Sequence, residues 1–235
     1  MMIKGILFDI GDTLIGATAL QHDSLKATVH KIDWIQAKED FIASYLRADA
    51  EFESKDMPDL NHLYSDERIV LRAFEILTLM QDAQRAKQFV NEYRAELRQH
   101  LQPDLQLQST LENLNSKNIE LGIASNGTTR EQLEQLEKLE IKKFFFPILI
   151  SEALHVRKPD PAILRLALND WHLPPNEILV VGDRPDWECL AAARAGMRSG
   201  LTLQFIDHRA DITAERKPDF IIKHYSELPS LIERS

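Results

Sequence analysis

The sequence predicts an α/β protein: a parallel sheet with helices on both faces, interrupted after its first strand by an all-helical insertion. From Pro103 to the C-terminus, short apolar runs alternate with amphipathic stretches of helical period, whereas residues 16–100 carry helical periodicity alone. The run ILFDIGDTLI, residues 6–15, adds an isolated buried strand ahead of that insertion. The expected organisation is an α/β core built from residues 1–15 and 101–235, with a helical domain from residues 16–100 between them.

Ile6, Leu7 and Phe8 form the first strand, which runs out into a turn bearing Gly11. Apolar residues at helical spacing follow, among them Phe41, Ile42, Tyr45 and Leu46 with Ile35 ahead of them. SKDMPDLNHLYSDE breaks the pattern at Pro58, after which RIVLRAFEILTLM and DAQRAKQFVNEYRAELRQHL resume as two more helices. Beyond Pro103 the order is helix STLENLNSKN, strand IELGIAS, helix TTREQLEQLEKLE, strand FFFPILIS, helix PAILRLALNDW, strand EILVVGD, helix WECLAAARAG and strand DFIIKH. Leu133, Leu136 and Leu139 mark an amphipathic helix against the sheet, their run being too short for a coiled coil.

Composition narrows the function. With 28 basic against 37 acidic residues the formal charge is −9, which repels nucleic acid and anionic membrane. Cys189 is the single cysteine and no basic-then-apolar leader precedes the first strand, so a cytoplasmic protein is expected. No apolar run reaches the ~18–20 residues of a membrane span. The eight histidines lack metal-site spacing, which argues against zinc.

In a parallel α/β sheet, ligands bind at the carboxyl ends of the strands. Four such ends carry polar residues: Asp9 and Asp12, Ser125 and Asn126, Lys158, and Asp183. Each alone is an ordinary cap or turn residue; their shared edge makes them a candidate site. Carboxylates from separate strand ends suit Mg²⁺, a hard cation that keeps water and substrate phosphate in its shell. Lys158 and the hydroxyl and backbone donors of Ser125 to Gly127 suit an anion. The set fits phosphoryl transfer to Asp9, with Lys158 and Ser125 stabilising the transition state.

FDIGDTL, IASNG, RKPDP and VVGDRPDWE, in this order, resemble the four motifs of the haloacid dehalogenase-like hydrolase superfamily, whose core is Rossmann-like. Residues 16–100 resemble the helical cap that many members insert after the first motif, and AAARAGM resembles the helix after the fourth. The resemblance implies Asp9 as nucleophile, Mg²⁺ held by Asp9, Asp183 and the Gly11 carbonyl, and phosphate bound by Ser125, Asn126 and Lys158. It implies a phosphatase acting on a small phosphorylated metabolite, with a cap closing over the substrate on hinges near Ile15–Ala17 and Leu101–Pro103. The cap aromatics Trp34, Phe41, Tyr45, Phe52 and Phe74 read mainly as its core.

Two positions depart from the pattern. Gly11 stands where the family's phosphatases carry a second Asp as general acid, and Asp12, one residue on, reads as a turn former. Without that acid, worth about 10²–10⁴ in rate, substrates with good leaving groups are favoured. Glu188 replaces the Asp five residues after Asp183 and is expected to act behind the metal ligands, with Asp186 at the surface. Alternative readings are a 2-haloacid dehalogenase, a phosphonatase using a cap lysine (Lys26, Lys31, Lys38 or Lys55), and a non-catalytic binder of a phosphorylated ligand. No oligomeric state is read from the sequence.

Overall fold

The structure, a computed structural model, describes residues 2–53 and 66–234. The chain forms two compact units, Met1–Ala17 with Pro103–Ser235, and Thr18–Gln102. Each boundary falls two residues beyond the expected one. Pro58 and Lys55 lie outside the described residues.

The α/β unit holds β1 (Gly5–Phe8), α5 (Leu105–Ser116), β2 (Glu120–Ser125), α6 (Thr129–Lys138), β3 (Ile148–Ile150), α7 (Ser151–Leu154), α8 (Ala162–Trp171), β4 (Ile178–Gly182), α9 (Leu190–Ala195), β5 (Arg198–Thr202), β6 (Phe220–Ile222) and α10 (Leu228–Arg234). The strands form one sheet in the order β3-β2-β1-β4-β5-β6, every pair parallel. The chain winds outward from β1 on one side and from β4 on the other, so the switch in strand order lies between them. Phe8 pairs with Ile123 of β2 and Val181 of β4. That register brings Asp9, Ser125 and Asp183 out at neighbouring strand ends.

One face of the sheet is closed by α8 and α9, whose Ile163, Leu164, Ala167, Ala191 and Ala192 bury against Leu7, Ala124 and Val180. Trp171 lies across β1 and β2: a Cβ on Gly5 or Gly122 would come within 2.8 or 2.9 Å of its ring. Its Nε1 donates to the Phe146 carbonyl at 2.8 Å. On the other face Phe8 meets Phe145 edge to face.

The helical unit carries α1 (Ala17–Lys31), α2 (Lys38–Glu53), α3 (Asp66–Ile76) and α4 (Ala83–His100). Phe41, Tyr45 and Phe74 are buried with Phe89 and Tyr93 as a cluster of rings, while Trp34 and Phe52 pack at its margin. Asp82 caps α4 by accepting from the amides of Gln84 and Arg85. No described helix is long and apolar enough to cross a membrane.

Three elements differ from expectation. RSGLT forms β5, which sequence reading missed because Gly200 and the polar Arg198 and Ser199 hide the strand pattern. FFFPILIS contributes only Ile148–Ile150 as strand, since Pro147 has no amide to offer the ladder. WECLAAARAG begins within a π turn, Pro185–Cys189, before α9.

Candidate active site

Asp9 leaves the end of β1 with its backbone fixed by a bond to the Val181 carbonyl and its side chain nearly buried. One carboxylate oxygen, Oδ1, accepts from Ser125 Oγ at 2.9 Å and from Lys158 Nζ at 2.6 Å. The other, Oδ2, carries no hydrogen bond among the described residues. The carboxylate is thus aimed by donors from two other elements, with one oxygen left open.

Lys158 is fully buried and its ammonium lies 2.6 Å from both Asp9 Oδ1 and Glu188 Oε1. Burial alone would drive off its proton, but the carboxylates of Asp9 and Glu188 outweigh it and hold the ammonium above its ordinary range. Glu188 Oε2 accepts from the Arg184 amide at 3.0 Å, so both its oxygens are engaged. Asn126 grips the Lys158 backbone from both sides, accepting from its N–H at 2.9 Å and donating to its carbonyl at 3.0 Å.

Asp183 follows β4 and is also nearly buried. Burial first, then the carboxylates of Glu188, Asp9 and Asp12, pushes its carboxyl up to about 8, against the pull of Lys158. His208 Nε2 stands 3.6 Å from Asp183 Oδ2 and its Nδ1 3.1 Å from Asp211. Asp12 has φ +48 and sits in the turn where the amides of Thr13, Leu14 and Ile15 all bond the Ile10 carbonyl. Lys158 pairs with Asp9 and Glu188, while the charges of Glu188, Asp9 and Asp12 all bear on Asp183, a crowding of carboxylates that would favour a cation. Among the described residues no three His, Cys, Asp or Glu side chains lie close enough together to hold a metal ion. Asp9 and Asp183 are nearly buried carboxylates, hard oxygen donors of the kind that suits Mg²⁺ rather than zinc.

The haloacid dehalogenase-like hydrolase family model matches residues 6–201. The chain belongs to that family. This haloacid dehalogenase-like hydrolase is 28% identical over 242 residues to the glyceraldehyde 3-phosphate phosphatase of Methanopyrus kandleri, covering 98% of this chain and 97% of that protein. It is 32% identical over 134 residues to the phosphoglycolate phosphatase of Vibrio parahaemolyticus, covering 57% of each. Among solved structures, the 2-haloacid dehalogenase of Pseudomonas syringae pv. Tomato DC3000 superposes with a TM-score of 0.69 at 26% identity, covering 99% of both chains.

In this haloacid dehalogenase-like hydrolase the structure brings Asp9, Ser125, Lys158 and Glu188 into direct contact. Two expected anion ligands are engaged elsewhere. Asn126 spends its side-chain amide on Lys158, and Gly127 donates its N–H to Ser151 Oγ at 3.0 Å. Asp186 is held by Arg184 through two bonds of 3.1 and 3.0 Å. Of the lysines considered for a Schiff base, Lys31 pairs with Glu96 and Lys38 donates to the carbonyls of Val29 and His30. The sequence pattern does not single out His208, which follows no apolar strand run, or Ser151, which does end the run FFFPILIS but carries no further signal beside it.

Proposed function

We propose that this hydrolase is a Mg²⁺-dependent phosphatase acting on a small phosphorylated metabolite through an aspartyl-phosphate at Asp9. The observation that carries the reading is the convergence of Ser125 Oγ and Lys158 Nζ on a single oxygen of Asp9. Two relatives named as phosphatases of small phosphate esters support it.

Asp9 attacks phosphorus, the P–O ester bond breaks, and the leaving oxygen takes its proton from solvent because Gly11 offers none. Water then attacks the phosphorus of the aspartyl-phosphate, returning the Asp9 carboxylate and inorganic phosphate. Lys158 and Ser125 hold the charge that develops on the transferred group. Glu188 keeps the buried Lys158 charged and in place, and Asn126 fixes its backbone. Asp9, Asp183 and the Gly11 carbonyl would hold Mg²⁺, which when bound neutralises the carboxylates so that a phosphate dianion can approach.

The test is release of p-nitrophenol from p-nitrophenyl phosphate by wild type and Asp9→Asn, each with Mg²⁺ and with EDTA. Turnover lost under either change supports the reading, and turnover that survives both overturns it. A second reading, a 2-haloacid dehalogenase, is favoured by Gly11 together with the likeness to the Pseudomonas syringae enzyme. Halide release from 2-haloacids without phosphatase turnover would select it.

A further inference from the structure

Arg157 immediately precedes Lys158 and is half-buried, yet its guanidinium makes no hydrogen bond or ion pair among the described residues. It lies instead over the ring of Trp187, 5.5 Å from the centroid. Trp187 immediately precedes Glu188, and Lys158 and Glu188 are themselves paired at 2.6 Å. The stack of Arg157 on Trp187 is therefore tied to the catalytic ion pair through two adjacent peptide bonds.

The surroundings are basic in a chain that is acidic overall. Arg184 also lies over Trp187, at 4.4 Å, and is held by Asp186. Burial pushes the Asp186 carboxyl up, but Arg184 chiefly, with Arg216 adding to it, pulls it below its ordinary range. Arg216 donates to Thr213 Oγ1 rather than to a carboxylate. Two guanidiniums, Arg184 and Arg216, thus act on the Asp186 carboxylate, and a third, Arg157 beside Lys158, is positioned by the same aromatic face with its donors uncommitted.

We propose that Arg157, held on Trp187, recognises a second anionic group of the substrate, a carboxylate or a second phosphate, so that preferred substrates carry an anion besides the phosphoryl group transferred. The proposal rests on the phosphatase reading for the transfer step but not for the binding step. An arginine with a free fork accepts a carboxylate or phosphate through two parallel bonds, and stacking on a ring limits the freedom lost on binding.

The experiment compares 2-phosphoglycolate, ethylene glycol bisphosphate and ethyl phosphate, which lacks the second anion, in wild type, Arg157→Met and Arg157→Lys. Turnover and, in parallel, calorimetric binding in the presence of Mg²⁺ are measured. The expected result is a wild-type preference for one or both doubly anionic compounds over ethyl phosphate. Arg157→Met should reduce that preference by on the order of 10- to 100-fold, in KM rather than kcat. Arg157→Lys should restore part of it. The arm that responds distinguishes a carboxylate from a phosphate. Absence of preference in the wild type, or a variant that slows all three compounds in equal proportion, overturns the proposal. If nothing turns over but Arg157-dependent binding preference persists, the recognition role stands and the phosphatase reading falls.

Discussion

Glu188 lies across Gly182: a Cβ at position 182 would come to 2.1 Å from Glu188 Cγ and 2.4 Å from Cδ. The glycine before Asp183 is therefore the floor on which the partner of Lys158 rests. Gly182→Ala is expected to push Glu188 off Lys158, leaving a buried ammonium with one carboxylate fewer. Breaking a buried pair costs about 3–5 kcal/mol, so both melting temperature and turnover should fall. Glu188→Gln should share the loss of turnover while keeping the shape. A Gly182→Ala protein with wild-type activity and melting temperature would show that Glu188 can leave without consequence.

Removal of the cation should reveal the crowding of carboxylates. The folded protein holds the Asp183 proton up to about 8 while the unfolded chain loses it near its ordinary 3.8. In EDTA the stability from this group is complete below the lower value and is lost as pH rises through the upper one. Asp183→Asn should therefore melt higher than wild type in EDTA at about pH 8, with the gap closing towards pH 4. Added Mg²⁺ should stabilise the wild type and leave the variant unmoved. Thermal melts at both pH values, with and without Mg²⁺, check this.

The missing general acid can be supplied. A Cβ on Gly11 would meet Ala17 Cβ at 3.4 Å, near ordinary contact, and Gly11 is not among the glycines with positive φ. Gly11→Asp is expected to speed hydrolysis of alkyl phosphates by about 10–100-fold, and of aryl phosphates less, because poor leaving groups depend most on protonation. A plot of rate against leaving-group pKa should flatten in the variant. An unchanged slope would mean that the turn cannot aim a carboxylate at the leaving oxygen or that another group already serves.

Trp171 against Gly5 and Gly122 is the packing contact on which the sheet depends most visibly. Trp171→Ala should cost about 3–5 kcal/mol by opening a cavity over β1 and β2. Gly122→Ala should cost about 1–3 kcal/mol by overpacking the same place. Urea unfolding of each variant measures these, and a double variant recovering part of the loss would tie the two effects to one contact.

The alternation of apolar strands with amphipathic helices made the α/β architecture readable, because a strand covered on both faces, such as ILF or ILVV, has no polar residue to break its run. β5 escaped the same reasoning because Gly200 yields its side-chain space to Ile222 and leaves no apolar signal. At the site, Asp9, Ser125 and Asp183 stand out from their places after strand ends, whereas Lys158 lies beyond β3 and α7 and stands out only through RKPDP. What each side chain touches was not legible. The direction of Asn126 depends on loops 32 residues apart in the chain, and the reach of Glu188 depends on a π turn that no local pattern announced.

Asn126 meets the Lys158 peptide with one acceptor and one donor at once. Only carboxamide side chains present that pair in a plane: aspartate lacks the donor, and serine cannot span both bonds. Glutamine has the right chemistry on too long a stem. The position therefore has an alphabet of one letter, set by a residue it touches only through the main chain, and a drift at 126 should be visible in descendants as a loss of lysine placement before any loss of lysine itself.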